Sequence, residues 1–178
     1  MASTTQAVSN VPTAGTYALD QSHSHVSFSA RHLMVTKVRG RFPVTEGRLV
    51  IAEDPTQSSV EAVIDITAVD SGDPKRDEHL RSADLFDADN YPTVSFRSTK
   101  VVDKGDGEFT LEGDLTVRDQ TRPVTLQGEF LGSLDAFPIV QNSPEGKVER
   151  HVMWVRPSSD SGCRRGEEFQ AAFAAGRY

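Results

Sequence analysis

From Tyr17 onward, apolar and polar residues alternate with a period of two over most of the chain. In "HVSFSARH", Val26, Phe28, Ala30 and His32 share one face, and His25, Ser27, Ser29 and Arg31 share the other. "GRLVIAE" sets Gly47, Leu49 and Ile51 against Arg48 and Val50. "SVEAVIDITAVD" sets Val60, Ala62, Ile64 and Ile66 against Glu61, Val63, Asp65 and Thr67. Val94 and Phe96 repeat the pattern, as do Phe109, Leu111, Gly113, Leu115 and Val117, then Val124, Leu126, Gly128 and Phe130. Such alternation predicts half-buried antiparallel strands. "DKGDGE" and "RDQTRP" lie between these runs, are rich in turn formers, and predict hairpin connections.

One helix start stands out. Asp73 can cap, Pro74 suits the first helical position, and "KRDEHLRSADLF" follows, with Leu80 as its apolar anchor and Leu85 and Phe86 at or past its end. Tyr91-Pro92 then imposes an extended entry into the next strand. Many strands, one crossing helix and no β-α-β rhythm predict an all-β barrel or sandwich. Gly47, Gly113 and Gly128 fall in phase with large apolar residues, so the pattern predicts bends or empty space on the inner face. A sheet of about eight strands closed on itself can hold one slender ligand.

Composition narrows the class. The chain has 178 residues, 37% hydrophobic and 25% charged, which suits one soluble domain with its own core. A net charge of -7 without a basic run argues against nucleic acid and anionic membrane surfaces as partners. No apolar run approaches a transmembrane span. Residues 1–15 lack the basic and apolar regions of a secretory signal and read as a disordered N-terminal segment, which points to the cytoplasm. A single cysteine, Cys163, excludes an internal disulfide and any multi-cysteine metal site.

The charged residues offer sharper chemistry. His23 and His25 are in phase on one strand, and with His79 they make a metal site or a small-molecule enzyme an alternative reading. No nucleophile elbow accompanies Ser22 and Ser24, and Asp77, Glu78 and His79 fan out on a helix instead of converging. Asp77 and Arg81 are spaced for an exposed ion pair, and Arg76 or Asp77 can fix a loop. Arg118 and Arg122 bracket a hairpin turn, where they can meet a phosphate or remain solvated.

Three ordered segments carry a family resemblance: "YALDQSHSHVSFSARHLMVTKVRGRF", "VIDITAVDSGDPKRDEHLRSADLFDADNYPTVSFRST" and "LEGDLTVRDQTRPVTL". From about Tyr17 to Gly132 the chain resembles the YceI family of polyisoprenoid-binding proteins. The resemblance implies an extended eight-stranded antiparallel barrel, lipocalin-like in shape. Its apolar tunnel would carry or store an isoprenoid lipid, such as a polyprenyl phosphate or a quinone tail, without cofactor or covalent chemistry. Within that frame the inward-phase residues Val26, Phe28, Leu49, Ile64, Ile66, Phe96, Leu115, Leu126 and Phe130 are the candidate lining. His32 can meet a polar head group, and Leu80, Phe86 and Tyr91 can flank an opening.

After Gly132 the family's closing motifs are missing, and residues 133–178 read as an atypical tail. "KVERHVMWV" can supply one strand, and "GEEFQAAFAAG" a short helix with Phe169 and Phe173 four apart. The expectation is a barrel incomplete at its C-terminal end, a break that an altered reading frame would produce. It carries a second functional alternative, a relative that no longer binds lipid and associates through exposed edges. A homodimer formed through an end or an edge fits the same picture.

Overall fold

The computed structural model describes residues 13–32, 36–136, 148–157 and 168–177, with side chains at 13–29 and 38–132. Its strands are β1 (Gly15–Leu19), β2 (His25–His32), β3 (Thr36–Ile51), β4 (Ser59–Asp65), β5 (Thr93–Gly105), β6 (Glu108–Val117), β7 (Gln120–Ala136), β8 (Val148–Pro157) and β9 (Glu168–Arg177). One helix, α1 (Pro74–Arg81), lies between β4 and β5, and a short 3-10 turn spans Pro55–Gln57. The N-terminal segment read as disordered lies almost wholly outside the described residues, as do Cys163 and the His32 side chain.

All pairings between strands are antiparallel. β1 and β2 behave as two halves of one strand, for both lie between β3 and β9. From there the ladder runs through β4, β5, β6, β7 and β8 in chain order and returns through β9. The packed interior is described for β1 to β7, a curled sheet forming the larger arc of that wall. The expectation of a short terminal helix is corrected here. Residues 148–157 and 168–177 are both strands, and β9 pairs with β8 on one side and with β1 and β2 on the other. Alanine-rich composition and the Phe169/Phe173 spacing favour a helix locally. A strand at this place instead satisfies backbone groups on two neighbours at once, which a helix cannot do.

The strand pattern before Gly47 was hidden by a bulge. β3 is a continuous 16-residue strand whose register shifts between Val44 and Glu46. One extra residue flips the side-chain phase. Phe42 and Val44 are therefore buried on even positions, and Leu49 and Ile51 on odd ones. β5 repeats the device, with a shift between Ser98 and Lys100 separating buried Val94 and Phe96 from buried Val101.

The in-phase glycines are also corrected: they do not mark empty space. The ring of Phe96 lies over Gly113, that of Phe109 over Gly128, and Leu19 over Gly47. A β-carbon at Gly113 would sit 2.5 Å from the Phe96 ring and 2.5 Å from the Arg97 carbonyl oxygen. Glycine here lets a cross-strand aromatic ring lie flat against the backbone. Because one clashing atom belongs to the main chain, the site cannot relax by rotating a side chain. Gly113→Ala is expected to destabilise the fold by about 1–3 kcal/mol, read as a lower urea midpoint at unchanged slope.

Candidate apolar binding site

Asp73 caps α1, its side chain accepting from the backbone N–H of Lys75 and Arg76, with Pro74 in the first turn. The charges of this stretch are structural. Asp77 accepts from the Ser71 N–H at 2.9 Å and the Ser71 hydroxyl at 2.5 Å, and the Arg76 guanidinium donates to the Ser71 hydroxyl and carbonyl. Asp77 and Arg76 thus fix the loop before the helix, the role the sequence offered beside an Asp77–Arg81 ion pair. Arg81 instead donates to the Thr67 carbonyl at 3.4 Å. Upstream, Arg41 and Asp70 exchange two backbone hydrogen bonds and form a 3.0 Å ion pair, which lays this connection across β3. The Gly72 N–H, and then the Arg41 guanidinium, hold the Asp70 carboxyl below its ordinary pKa.

This anchoring puts α1 and the loop 82–92 over one end of the sheet. Phe86 of that loop meets Phe42 of β3 edge-on at 5.4 Å, and Phe42 meets Phe28 of β2 at 5.3 Å. Ala88 is buried. On the opposite side the loop meets the β6–β7 hairpin. Arg118 there pairs with Asp87 at 3.4 Å, donates to the Ala83 and Leu85 carbonyls, and sits 5.7 Å over the Tyr91 ring.

Away from the loop, Tyr17, Leu49, Ile51, Val60, Val101, Leu111 and Phe130 are buried, while Phe109 is half-buried. Near the loop, Val26, Phe28, Leu80, Phe86, Leu115 and Val117 pack on the core while remaining only half-buried, and Val124 and Leu126 do so midway along β7. Apolar side chains facing inward yet still partly in contact with water are what a capped apolar groove presents.

Among the predicted lining, Leu49, Ile64, Ile66, Phe96 and Phe130 are core residues. Val26, Phe28, Leu80, Phe86, Leu115 and Leu126 are the half-buried ones packed against them. Tyr91 is half-buried beneath the Arg118 guanidinium. The His32 backbone pairs with Thr36. Sequence reading missed Phe42, which joins β2 to the loop, and the part taken by Arg118. The two arginines separate in the structure. Arg118 is engaged by the loop, whereas Arg122 is exposed and pairs in register with Leu115, which puts it on the inward face at the rim.

The histidine alternative gains nothing. His23 Nδ1 lies 2.9 Å from an Asp20 carboxylate oxygen. Among the described residues, no group of three or more His, Cys, Asp or Glu side chains could hold a metal ion. No described helix is long and apolar enough to cross a membrane.

The family model of the YceI-like domain matches residues 17–155. The chain belongs to the YceI-like family. The match passes Gly132, where the recognisable motifs end, and takes in most of β8. A UPF0312 protein of Vibrio cholerae is 38% identical over 135 residues, covering 71% of this chain and 70% of that protein. A UPF0312 protein of Shewanella denitrificans is 36% identical over 122 residues, covering 67% and 64% respectively. Among solved structures, Burkholderia cenocepacia BcnA superposes with a TM-score of 0.64 at 19% identity, over 90% of this chain and 99% of that one. A polyisoprenoid binding domain from Saccharophagus degradans superposes with a TM-score of 0.55 at 15% identity, over 91% and 98%. At these identities the structural likeness bears on the fold, and this YceI-like chain has the architecture of its neighbours.

Proposed function

We propose that this YceI-like protein binds a single isoprenoid lipid for carriage or storage, without chemical turnover. The observation that carries the reading is the set of half-buried apolar side chains beneath α1 and its loop, packed on the buried core of the sheet. The family membership and the binding domain among the structural neighbours support it.

An isoprenoid chain is thin and apolar, and burying it gains roughly 0.8 kcal/mol per methylene equivalent before ordering costs. Such a ligand needs little hydrogen bonding from its lining. Phe28, Leu80, Phe86, Leu115 and Leu126 meet that demand, and Arg122 at the rim provides a cation for an anionic head group such as a phosphate.

Native mass spectrometry of the gently extracted protein tests the proposal. A co-purifying apolar chain, or one-to-one uptake of added geranylgeraniol, is the expected result. An empty protein that also rejects geranylgeraniol sinks the proposal and leaves a non-binding relative as the reading.

A further inference from the structure

We propose that Arg118 is a latch: from the tip of the β6–β7 hairpin it holds loop 82–91 down over the apolar end, and its release is the step that admits or frees an apolar chain. The gating half of this proposal rests on the binding reading above; the latch itself does not.

The first observation is an arginine in a backbone conformation that favours glycine. Val117 pairs with Gln120, so Arg118 and Asp119 form a two-residue turn, and Arg118 has φ 57°. A side chain in the left-handed region costs energy, and glycine is the inexpensive occupant of such a turn. The arginine nevertheless reaches more than thirty residues back along the chain, to Ala83, Leu85 and Asp87.

The second observation is that its target is shaped to receive it. Asp87 also sits at positive φ, 53°, and the Asn90 side-chain amide donates to both of its carboxylate oxygens at 3.0 and 3.1 Å. The Asp87 side chain is only 13% exposed, whereas that of Arg118 is 37% exposed. The carboxylate is therefore preset, and the guanidinium arrives from the solvent side.

Third, the contact is divided into weak parts. The three polar contacts are 3.3 to 3.4 Å long and the ring contact is 5.7 Å. Among the described residues, the polar contacts between this loop and the hairpin run through Arg118. Beneath it, Phe86 rests edge-on against Phe42 of β3, and Ala88 is buried. A loop whose polar ties to the hairpin are several long contacts can open at that edge while the strand pairings stay intact.

Arg118→Gly separates the latch from the turn. It relieves the positive-φ cost, so the urea midpoint is expected to hold or rise. Hydrogen exchange at the Asp87, Ala88 and Tyr91 amides, which close the loop's own hydrogen bonds, is expected to quicken about tenfold. The Leu111 and Phe130 amides at the far end should keep their rates. Unchanged exchange in the loop overturns the latch, because a residue that only shapes the turn predicts that result.

Stopped-flow loading and release of geranylgeraniol then tests the gate. Both rates should rise about tenfold in Arg118→Gly while the equilibrium affinity stays within about threefold. Faster exchange with unaltered loading would overturn the gate. If the wild-type chain binds no geranylgeraniol while loop exchange still quickens in the variant, the binding reading fails and the latch stands.

Discussion

Replacing Leu115 with aspartate is expected to lower the affinity for geranylgeraniol at least about a hundredfold while leaving the protein folded. Leu115 is half-buried on β6, directly across from Phe96 on one side and the rim residue Arg122 on the other. In the free protein a carboxylate at this position can keep part of its hydration, so the fold tolerates it. Once an apolar chain occupies the groove, that hydration is lost and the chain offers no hydrogen-bond donor to replace it. Burying a carboxylate in such surroundings costs several kcal/mol, of which an exposed Arg122 guanidinium across the strands offsets only about 1 kcal/mol, and roughly 3 kcal/mol corresponds to a hundredfold in affinity. Glu129→Ala, at an exposed position of β7, is the control and should leave binding unchanged. Titration by intrinsic fluorescence, with circular dichroism to verify folding, is the measurement. A folded Leu115→Asp protein that binds as tightly as wild type would remove this end of the barrel from consideration.

Tyr17→Ala is expected to cost about 3–5 kcal/mol of folding free energy, the largest stability effect anticipated for a single side chain here. Tyr17 is fully buried, pairs with Leu49 across β1 and β3, and donates its hydroxyl to the Thr13 carbonyl at 2.8 Å. The truncation removes an aromatic ring from the buried core and leaves the Thr13 carbonyl without that donor. Domains of this kind have only about 5–15 kcal/mol in total, so the variant should lose much of its resistance to urea. Tyr17→Phe keeps the ring and loses only the hydroxyl, so about 1 kcal/mol is expected. The ratio between the two separates ring packing from the hydrogen bond. Equal losses in urea unfolding would refute the assignment of the effect to packing.

Much of the fold was legible from residue types because the signals concerned are local. A strand with one face in the core must alternate, and β2, β4, β6 and the first part of β7 do so. Asp73-Pro74 marks the start of α1 because capping needs only the cap and the first turn. The stretch before Gly47 was harder to read, since the bulge after Val44 puts the two halves of β3 out of phase in the sequence while both face inward. The in-phase glycines were misread because nothing local says whether a missing side chain leaves a void or receives a neighbour's ring. Phe96 over Gly113 and Phe109 over Gly128 depend on cross-strand register.

The candidate site divides along the same line. Leu80 and Phe86 were recognisable as apolar residues on a charged segment. That Phe86 meets Phe42 edge-on, and that Arg118 reaches Asp87, depends on partners 44 and 31 positions away (86 − 42 and 118 − 87).

By itself, then, the amino-acid sequence determined the strand-rich class, the capped helix, the inward face of most strands and the family. Each follows from short-range periodicity, capping chemistry or an ordered run of motifs. Only the tertiary structure decided that residues 168–177 join the sheet as a strand, since that choice turns on unpaired backbone in β1, β2 and β8. It alone also decided which apolar side chains lie beneath loop 82–91. Burial and long-range hydrogen bonds belong to the assembled sheet, and the identity of a residue does not carry them.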